Sequence, residues 1–400
     1  KSQRQLIHMS MHDNTLCKAA FNDIYIDTSG DLVPCCYIKR NSDNLKVKDV
    51  DNLNNWFYNN EELVSLRENL STNIKDKRCS HCWKAEAEKK WTLRTSQEYN
   101  LQPPKAKLLH ITGGRLCNLA CRMCGPGLSS KIQTENRPWQ NVKGLDHNYN
   151  WIDDQDNVAK IIELINNQDI EQMQLQGGEP QLMKGFVDII TQIDSKKRSQ
   201  IGLQVTTNAS VFNEKFWEQA IKFQRVTAGI SIDATGPRYD VIRYHGDWKT
   251  TEKNCIKILD YLWTNRIDPG PNPALNLNIV LQLANVDQCD EMNSFYEGLQ
   301  KRFPGIACNY TLVHINDIDA SNRAWDIKNL PLEILNSLTN IKAETQLAKH
   351  WREGIDYAIE NNGYNKNYSQ QVLTREEHFL NVHGKNLWTD KPDWFEIYDR

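Results

Sequence analysis

Residues 117–124 read Cys117-Asn-Leu-Ala-Cys121-Arg-Met-Cys124, which places three cysteines within eight residues. Gaps of three and two residues allow the three thiols to reach one metal centre from a single loop. Thiolates in this number suit an iron–sulfur cluster or a zinc ion. If no fourth protein ligand joins them, one iron of a cubane cluster keeps an open coordination position, at which a substrate or cofactor can bind.

Predicted strands lie on both sides of this cysteine motif. Residues 108–112 have the pattern of a strand that enters the cysteine loop, and residues 173–175 that of a second, shorter strand. The second strand leads directly into a polar turn, which reads Gly177-Gly178-Glu179-Pro180. Each motif therefore follows a predicted strand.

Taken in this order, the cysteine motif and the Gly-Gly-Glu-Pro motif resemble the radical SAM superfamily. The resemblance implies that the three cysteines ligate a 4Fe–4S cluster, whose open iron binds S-adenosylmethionine. It also implies that the motif at residues 177–180 holds the methionyl amino group of that cofactor. A zinc loop with a distant fourth ligand is the alternative for the three cysteines.

Strand and helix patterns alternate downstream of the Gly-Gly-Glu-Pro motif. Apolar residues at helical spacing separate further predicted strands at residues 202–209, 226–232, 275–283 and 307–313. This alternation indicates a parallel α/β sheet or barrel. Six βα units follow from residue 108 onward, which matches the partial (β/α)6 TIM-like barrel that the resemblance implies.

Polar residues follow two of the predicted barrel strands, at the end where α/β barrels carry their chemistry. By resemblance, Thr207 and Asn208 belong to a segment near the cofactor, and Ser231 and Asp233 to a segment near its ribose and carboxylate. Arg243 closes a stretch that faces the cofactor carboxylate, which a guanidinium binds bidentately. The alternatives are turn and strand-end chemistry for Asn208 and Ser231, and a surface salt bridge for Arg243.

A second set of cysteines precedes the barrel. Twelve residues separate Cys17 from Gly30, four separate Gly30 from Cys35, and Cys79 and Cys82 follow later. Alternating residues on both sides of a Thr-Ser-Gly-Asp turn predict a hairpin, which presents the first two cysteines from nearby backbone. The later pair, two residues apart, can face the same metal centre.

This spacing resembles the twitch domain, the shortened relative of the SPASM auxiliary-cluster domain. The resemblance implies an auxiliary 4Fe–4S cluster with the ligands Cys17, Cys35, Cys79 and Cys82. Cys36 is the alternative to Cys35, and tetrahedral zinc is the alternative metal. Such modules commonly follow the barrel, whereas this one precedes it.

The patterns predict three regions, namely a small N-terminal α+β auxiliary-cluster domain at residues 13–100, the barrel at residues 105–315 and a helical C-terminal extension at residues 316–400. In the first region, Asn59 and Glu62 have the spacing of a capping box that begins a short helix. In the last, two helices precede residues 388–394, which are predicted to be extended. We expect the extension to cover the open side of the partial barrel.

Composition indicates the class of protein and its compartment. The formal net charge of −3, from 48 Lys and Arg against 51 Asp and Glu, excludes a strongly basic nucleic-acid binder. No stretch approaches the roughly 18 apolar residues of a membrane helix, and residues 1–10 contain no apolar signal core. Without a secretion signal, eleven cysteines favour metal ligation in a reducing cytosol, so we expect a cytoplasmic protein.

Three downstream cysteines lie outside both motifs. Cys255 is on the apolar face of a predicted helix and is expected in the core. Cys289 lies on a polar stretch and is expected at the surface. Cys308 lies in the last predicted barrel strand, where the resemblance makes it a candidate donor that returns a hydrogen atom to a substrate radical, with a packed thiol as the alternative.

The resemblance also implies a reaction. Reductive cleavage of S-adenosylmethionine yields a 5′-deoxyadenosyl radical, which abstracts a hydrogen atom from a peptide or small-molecule substrate during crosslinking, dehydrogenation or epimerisation. The expected partner is an electron donor such as flavodoxin or ferredoxin. The alternatives are a sugar or nucleoside substrate or, in a different class of function, a zinc-stabilised non-redox binding module on an α/β scaffold.

Overall fold

A computed structural model of the protein describes most of the chain. The described residues are 14–39, 45–88, 92–96, 99–141, 145, 150–265, 273–314, 324–342, 344–390, 392 and 394. The predicted boundary at residue 13 and the residues between 315 and 323 therefore lie outside the described part.

Strands and helices alternate along most of this chain. The strands are β1 Asp23–Ile26, β2 Leu32–Val33, β3 Leu108–Thr112, β4 Ala120–Cys121, β5 Gln172–Gln176, β6 Gly202–Thr207, β7 Arg225–Ser231, β8 Arg243–Tyr244, β9 Ala274–Leu281 and β10 Ala307–His314. The helices are α1 Lys18–Asn22, α2 Leu53–Asn59, α3 Glu61–Ser71, α4 Ser80–Ala87, α5 Ser130–Glu135, α6 Gln155–Asn167, α7 Lys184–Gln192, α8 Ser195–Arg198, α9 Glu214–Ala220, α10 Gly236–Ile242, α11 Trp248–Thr264, α12 Cys289–Arg302, α13 Leu332–Ser337, α14 Gln346–Glu360, α15 Lys366–His383 and α16 Leu387–Asp390. Short 3₁₀ turns connect several of them.

The chain divides into two compact units. The first comprises residues 1–114, 148–204 and 218–224, and the second comprises residues 115–147, 205–217 and 225–400. Strand β6 begins in the first unit and ends in the second.

The sheet of the first unit joins the front hairpin to the first predicted barrel strand. β1 pairs with β2 in antiparallel and with β3 in parallel orientation, and β3 pairs in parallel with β5. The indole of Trp151, which is fully buried, donates to the carbonyl oxygens of Asp27 (3.1 Å) and Thr112 (3.2 Å). One side chain thus binds the end of the hairpin and the end of β3.

The second unit contains three parallel strands, with β9 between β7 and β10. In β9, buried Leu275, Leu277 and Ile279 alternate with half-buried Asn276 and Asn278, as expected for a strand with a period of two. Separately, β4 and β8 form a two-stranded antiparallel sheet. This small sheet brings the cysteine loop next to the end of α10.

The predicted alternation is confirmed as a mixed α/β fold with a mostly parallel sheet. Other predictions were wrong in detail. Residues 388–390 of the predicted extended segment belong to α16, and Cys289, expected at the surface, is buried at the start of α12. Helix α15 lies in the region predicted to be helical, but the sequence did not indicate its bounds, because this stretch is polar and has little helical periodicity.

The helix predicted from a cap at Asn59 begins one residue later. Helix α2 continues through Asn59, and Asn60 then begins α3 by accepting a hydrogen bond from the Leu63 N–H (3.1 Å).

Among the described residues, none of the helices combines the length and apolar character that a membrane crossing requires.

The cap predicts a difference between two neighbouring variants. We expect Asn60→Ala to lower the free energy of unfolding by about 1 kcal/mol, because the N–H of Leu63 loses its acceptor. Asn59→Ala, at the end of α2, removes no cap and should have little effect. Chemical denaturation followed by circular dichroism measures the free energy of unfolding of both variants. Equal losses in the two variants would contradict the assignment of Asn60 as the cap.

Candidate metal centre and cofactor site

The cysteine loop is held by hydrogen bonds of its own backbone and of α5. The Cys117 N–H donates to the Ser130 hydroxyl oxygen (3.3 Å), and the Cys117 sulfur accepts from the Leu119 N–H (3.5 Å). The Cys124 N–H donates to the Cys121 carbonyl oxygen (3.2 Å). The three thiols therefore project from one tightly turned loop in the second unit.

Two side chains from distant parts of the second unit donate to the sulfurs of this loop. The Asn208 amide Nδ2 lies 3.8 Å from the Cys117 sulfur, and the Arg243 Nη1 lies 3.6 Å from the Cys121 sulfur. N–H donors to the sulfurs are typical of iron–sulfur sites, where they tune the cluster. The donor set fits a thiolate-bound cluster.

Burial raises the pKa of two of these thiols, those of Cys121 and Cys124. Desolvation raises the pKa of Cys121, and desolvation together with the neighbouring Cys121 raises the pKa of Cys124 to about 12. A metal ion favours the thiolate form and so displaces these protons on binding.

Arg243 and Asp233 form a buried ion pair beside the loop. The Arg243 Nη2 lies 2.8 Å from the Asp233 Oδ2, and the other carboxylate oxygen accepts from the Val280 N–H (2.8 Å). Although burial alone would lower the pKa of Arg243, the Asp233 carboxylate raises it above its usual value. Among the described residues the Arg243 Nε is buried and has no hydrogen-bond partner, so it can bind a carboxylate ligand.

The other polar residues at the strand ends have local roles as well. The Thr207 hydroxyl accepts from the Ala209 N–H (3.1 Å), and the Asn208 carbonyl oxygen accepts from the Ser210 N–H (2.8 Å). This is the turn chemistry that was the alternative for Asn208, and it leaves the Asn208 amide nitrogen directed at Cys117. Ser231 ends β7, half-buried and in register with Asn278.

The Gly-Gly-Glu-Pro motif lies in the first unit, against the turn after β3. Gly177 has a φ of 140°, and a Cβ atom there would lie 3.1 Å from the Gly113 nitrogen and the Gly114 oxygen. Gly178 donates to the Gly114 carbonyl oxygen (3.0 Å), and buried Glu179 accepts from the Gln181 N–H (3.2 Å), beginning a 3₁₀ turn at Pro180. Glycine at 177 permits this close backbone approach.

The four front cysteines lie close together in the first unit. The charge of Cys17 contributes to raising the pKa of the other three, although burial is the larger cause. The resulting pKa is about 12 for Cys79 and about 11 for Cys82. Cys36 by contrast is exposed.

The turn between Cys17 and Cys35 requires a glycine at position 30. Its φ is 82°, and an added Cβ would lie 3.3 Å from the Trp151 ring. A side chain at this turn would therefore be strained and would displace the indole that binds the hairpin to β3.

Arg94 is a residue of this module that sequence patterns did not indicate. Its guanidinium binds Glu86 (2.5 Å), stacks on the Trp83 ring (4.8 Å to the centroid) and donates to the Asn14 carbonyl oxygen (2.7 Å). Its backbone N–H lowers the pKa of Cys82 against the effect of burial. A lone arginine carries no spacing signal, so only the fold reveals it.

Cys308 lies on the face of the sheet that is turned away from Ser231. In register, Cys308 is beside Leu275, whereas Ser231 is beside Asn278, and residues of opposite parity project from opposite faces. The charge of Cys308 also acts on the pKa of core Cys255 in α11. This geometry favours the packed thiol over the hydrogen donor.

Among the described residues, no three His, Cys, Asp or Glu side chains are close enough to ligate one ion. Each thiolate of an iron–sulfur cluster binds a different iron atom, so its ligands lie farther apart than those of a single ion.

Comparison with a family model identifies the part of the chain that contains the three-cysteine loop and the Gly-Gly-Glu-Pro motif. Residues 111–273 match the model of the Radical SAM superfamily. The chain contains a radical SAM domain. A domain of this superfamily implies a 4Fe–4S cluster and S-adenosylmethionine. No curated protein shows significant similarity to the chain.

The solved structures that resemble this chain share little sequence identity with it. Streptococcus suis SuiB bound to S-adenosylmethionine shares 15% identity over 71% of this chain and 57% of that chain, with a TM-score of 0.40. SuiB bound to the precursor peptide SuiA gives the same values. The radical S-adenosylmethionine methyltransferase TsrM of Kitasatospora setae, bound to tryptophan and a SAM analogue, shares 13% over 54% and 39%, with a TM-score of 0.35. The match thus spans little more than half of SuiB.

We expect the adjacent residues Cys35 and Cys36 to differ in metal binding. If the auxiliary cluster expected from the cysteine spacing forms, Cys35→Ser should lose about half of the bound iron after anaerobic reconstitution, because that cluster loses a ligand. Cys36→Ser, at the exposed position, should retain all of it. Iron and sulfide analysis measures both variants, and the reverse result would make Cys36 the ligand.

The backbone of Gly177 predicts a second contrast. Gly177→Ala should destabilise the protein by about 1–3 kcal/mol, because a Cβ is strained at this φ and crowds the Gly113 backbone. Gly127→Ala is the control, because a Cβ at Gly127 meets no atom within 4 Å. Thermal unfolding measures both, and an unchanged midpoint for Gly177→Ala would contradict the close approach.

Proposed function

We propose that this radical SAM enzyme cleaves S-adenosylmethionine reductively and abstracts a hydrogen atom from a peptide substrate, with one auxiliary 4Fe–4S cluster. The single observation that carries the proposal is the convergence of Asn208 and Arg243 on the sulfurs of Cys117 and Cys121. These contacts join the cysteine loop to two separate strand ends, where a radical SAM enzyme needs its cluster and cofactor.

When bound, the cluster and S-adenosylmethionine supply an electron and a 5′-deoxyadenosyl radical. The chain's own residues bind and orient the cofactor. The buried and unpaired Nε of Arg243 would bind the methionyl carboxylate, while Asp233 holds the guanidinium in place. The motif at residues 177–180 would bind the methionyl amino group, and Ser231 would face the ribose.

The front module would hold the auxiliary cluster through Cys17, Cys35, Cys79 and Cys82. Its close thiols support this assignment, and the Arg94 backbone N–H would donate to the Cys82 thiolate as such donors do in other clusters. The auxiliary cluster would accept an electron from the product radical or anchor the substrate. A small external electron donor such as flavodoxin or ferredoxin would reduce the cluster of the cysteine loop.

A cavity beside β10 supports a peptide substrate. Its volume is about 760 Å³, and its walls are one edge of β10 and helix α14. Among the described residues β10 pairs with β9 alone, so its other edge presents backbone N–H and C=O groups without a strand partner. An extended peptide can bind such an edge as an added strand, whereas a sugar or nucleoside cannot satisfy a row of backbone groups.

Side chains in this cavity would add specificity to the backbone contacts. The Tyr310 hydroxyl and the His350 Nδ1 are hydrogen-bonded at 2.6 Å, and Gln346 contacts the other imidazole nitrogen at 2.8 Å. Glu353 provides a negative charge in the same wall, so the proposed peptide carries a basic side chain there.

Loss of one cysteine tests the chemistry. Anaerobically reconstituted protein with reductant should release 5′-deoxyadenosine from S-adenosylmethionine, and Cys121→Ala should release none, because the cluster loses a ligand. Cys36→Ala, which alters an exposed thiol, should retain the activity. Product analysis by mass spectrometry decides the outcome. Undiminished cleavage by Cys121→Ala, or protein that binds zinc and no iron, would sink the assignment.

Deuterium transfer tests the substrate. Peptides from a digest of fully deuterated protein should transfer deuterium into 5′-deoxyadenosine, whereas deuterated sugars and nucleosides should not. Tyr310→Ala should slow the transfer about tenfold at low peptide concentration, because the cavity loses a hydrogen-bonding wall, but should leave uncoupled cleavage unchanged. Lys349→Ala, at an exposed position of α14 outside the cavity lining, is the control. Transfer from sugars alone would contradict the peptide proposal.

A further inference from the structure

A buried arginine binds the backbone of the cysteine loop. Arg137 has no exposed surface, and its two terminal nitrogens donate to the carbonyl oxygens of Ala120 (2.8 Å) and Cys121 (3.1 Å). Its charge also acts on the pKa of Cys121 and Cys124, against the larger effect of burial. A fixed positive charge therefore lies directly behind two of the three thiols.

The guanidinium of Arg137 is held by a carboxylate that in turn contacts helix α15. Its Nε donates to the Glu135 Oε2 (2.7 Å), and the other oxygen of Glu135 contacts the His383 imidazole of α15. The His383 ring in turn stacks on Tyr244 of β8, with centroids 4.0 Å apart. The Arg137 side chain is thus held by the nearby Glu135 and, through it, by residues more than a hundred positions away in the sequence.

A second buried arginine belongs to the same assembly. Arg122, between Cys121 and Cys124, forms an ion pair with Glu376 of α15, and both side chains are fully buried. Its Nη2 donates to the Tyr244 hydroxyl (2.9 Å) and to the Val241 carbonyl oxygen (3.0 Å). Arg122 therefore has its own carboxylate, whereas Arg137 shares Glu135 with His383.

These charges matter for a group that gains an electron. One-electron reduction adds negative charge to a thiolate-bound cluster, so a fixed cation nearby favours the reduced form and a fixed anion opposes it. In a buried site this effect is weakly screened. Arg137 and Glu135 thus act on the cluster with opposite signs.

We propose that Arg137 is a positioning residue that raises the reduction potential of the cluster bound by Cys117, Cys121 and Cys124, and that Glu135 and His383 hold it in place and temper its charge. The proposal rests on the proposed function, which places a 4Fe–4S cluster on these three cysteines. The reaction concerned is the transfer of one electron from an external donor to the cluster, with no bond made or broken.

The test is a redox titration of the reconstituted full-length protein without S-adenosylmethionine, followed by electron paramagnetic resonance. Cys79→Ser/Cys82→Ser removes the auxiliary cluster, so that a single cluster reports. In this background Arg137→Gln should lower the reduced-to-oxidised ratio at a fixed potential about tenfold, which is about 59 mV for one electron. Glu135→Gln should raise the ratio, because it removes the opposing anion but keeps a hydrogen-bond partner for Arg137.

Shifts of the reduction potential in opposite directions for Arg137→Gln and Glu135→Gln would indicate electrostatic tuning. A structural defect would shift the potential of both variants in the same direction. Arg302→Gln, which removes the same charge at an exposed ion pair, should not shift the potential. If the double serine variant does not fold, the same titration on the otherwise unaltered chain follows the signal that S-adenosylmethionine perturbs.

Two results overturn different claims. Protein that binds no iron and sulfide at all contradicts the proposed function. Protein that loads its clusters but shows no shift, or shifts of the same sign in Arg137→Gln and Glu135→Gln, contradicts the role of Arg137 while leaving the proposed function intact.

Discussion

The antiparallel pairing of β4 with β8 is the contact on which the candidate site depends. It sets Cys121 directly opposite Arg243, and from there the guanidinium reaches both the Cys121 sulfur and the Asp233 carboxylate. Strand β8 directly follows α10, which itself follows β7. The two residue pairs of β4 and β8 therefore connect the cysteine loop to the chain segment that comes after β7. A radical SAM enzyme requires these parts to meet, and two residue pairs are enough to join them.

Buried charge explains how helix α15 packs against the cysteine loop. Burying an arginine is costly unless a carboxylate and further acceptors satisfy it. Arg122 in the cysteine loop meets this requirement through Glu376, which also accepts from the Leu387 N–H at the start of α16. Helix α15 is therefore fixed by the charges of the loop, even though its own sequence has little apolar periodicity.

Local patterns were sufficient for the strands and for the order of the motifs. The alternating apolar residues of β9 and the turn glycines Gly30 and Gly177 are visible in short stretches of sequence, so a sequence reading finds them. The contacts of Arg94 and Arg137 could not be found in this way. Each joins groups far apart in the chain, and a single arginine has no periodicity or spacing that distinguishes it from a surface charge.

The sequence by itself determined the radical SAM class, the three-cysteine loop and the alternation of strands and helices, because each depends on residues only a few positions apart. Only the tertiary structure decided that Asn208 and Arg243 donate to the loop sulfurs, that Cys308 faces away from Ser231, and that α15 supplies partners to buried arginines. The physical reason is that strand register and the pairing of buried charges depend on the complete fold.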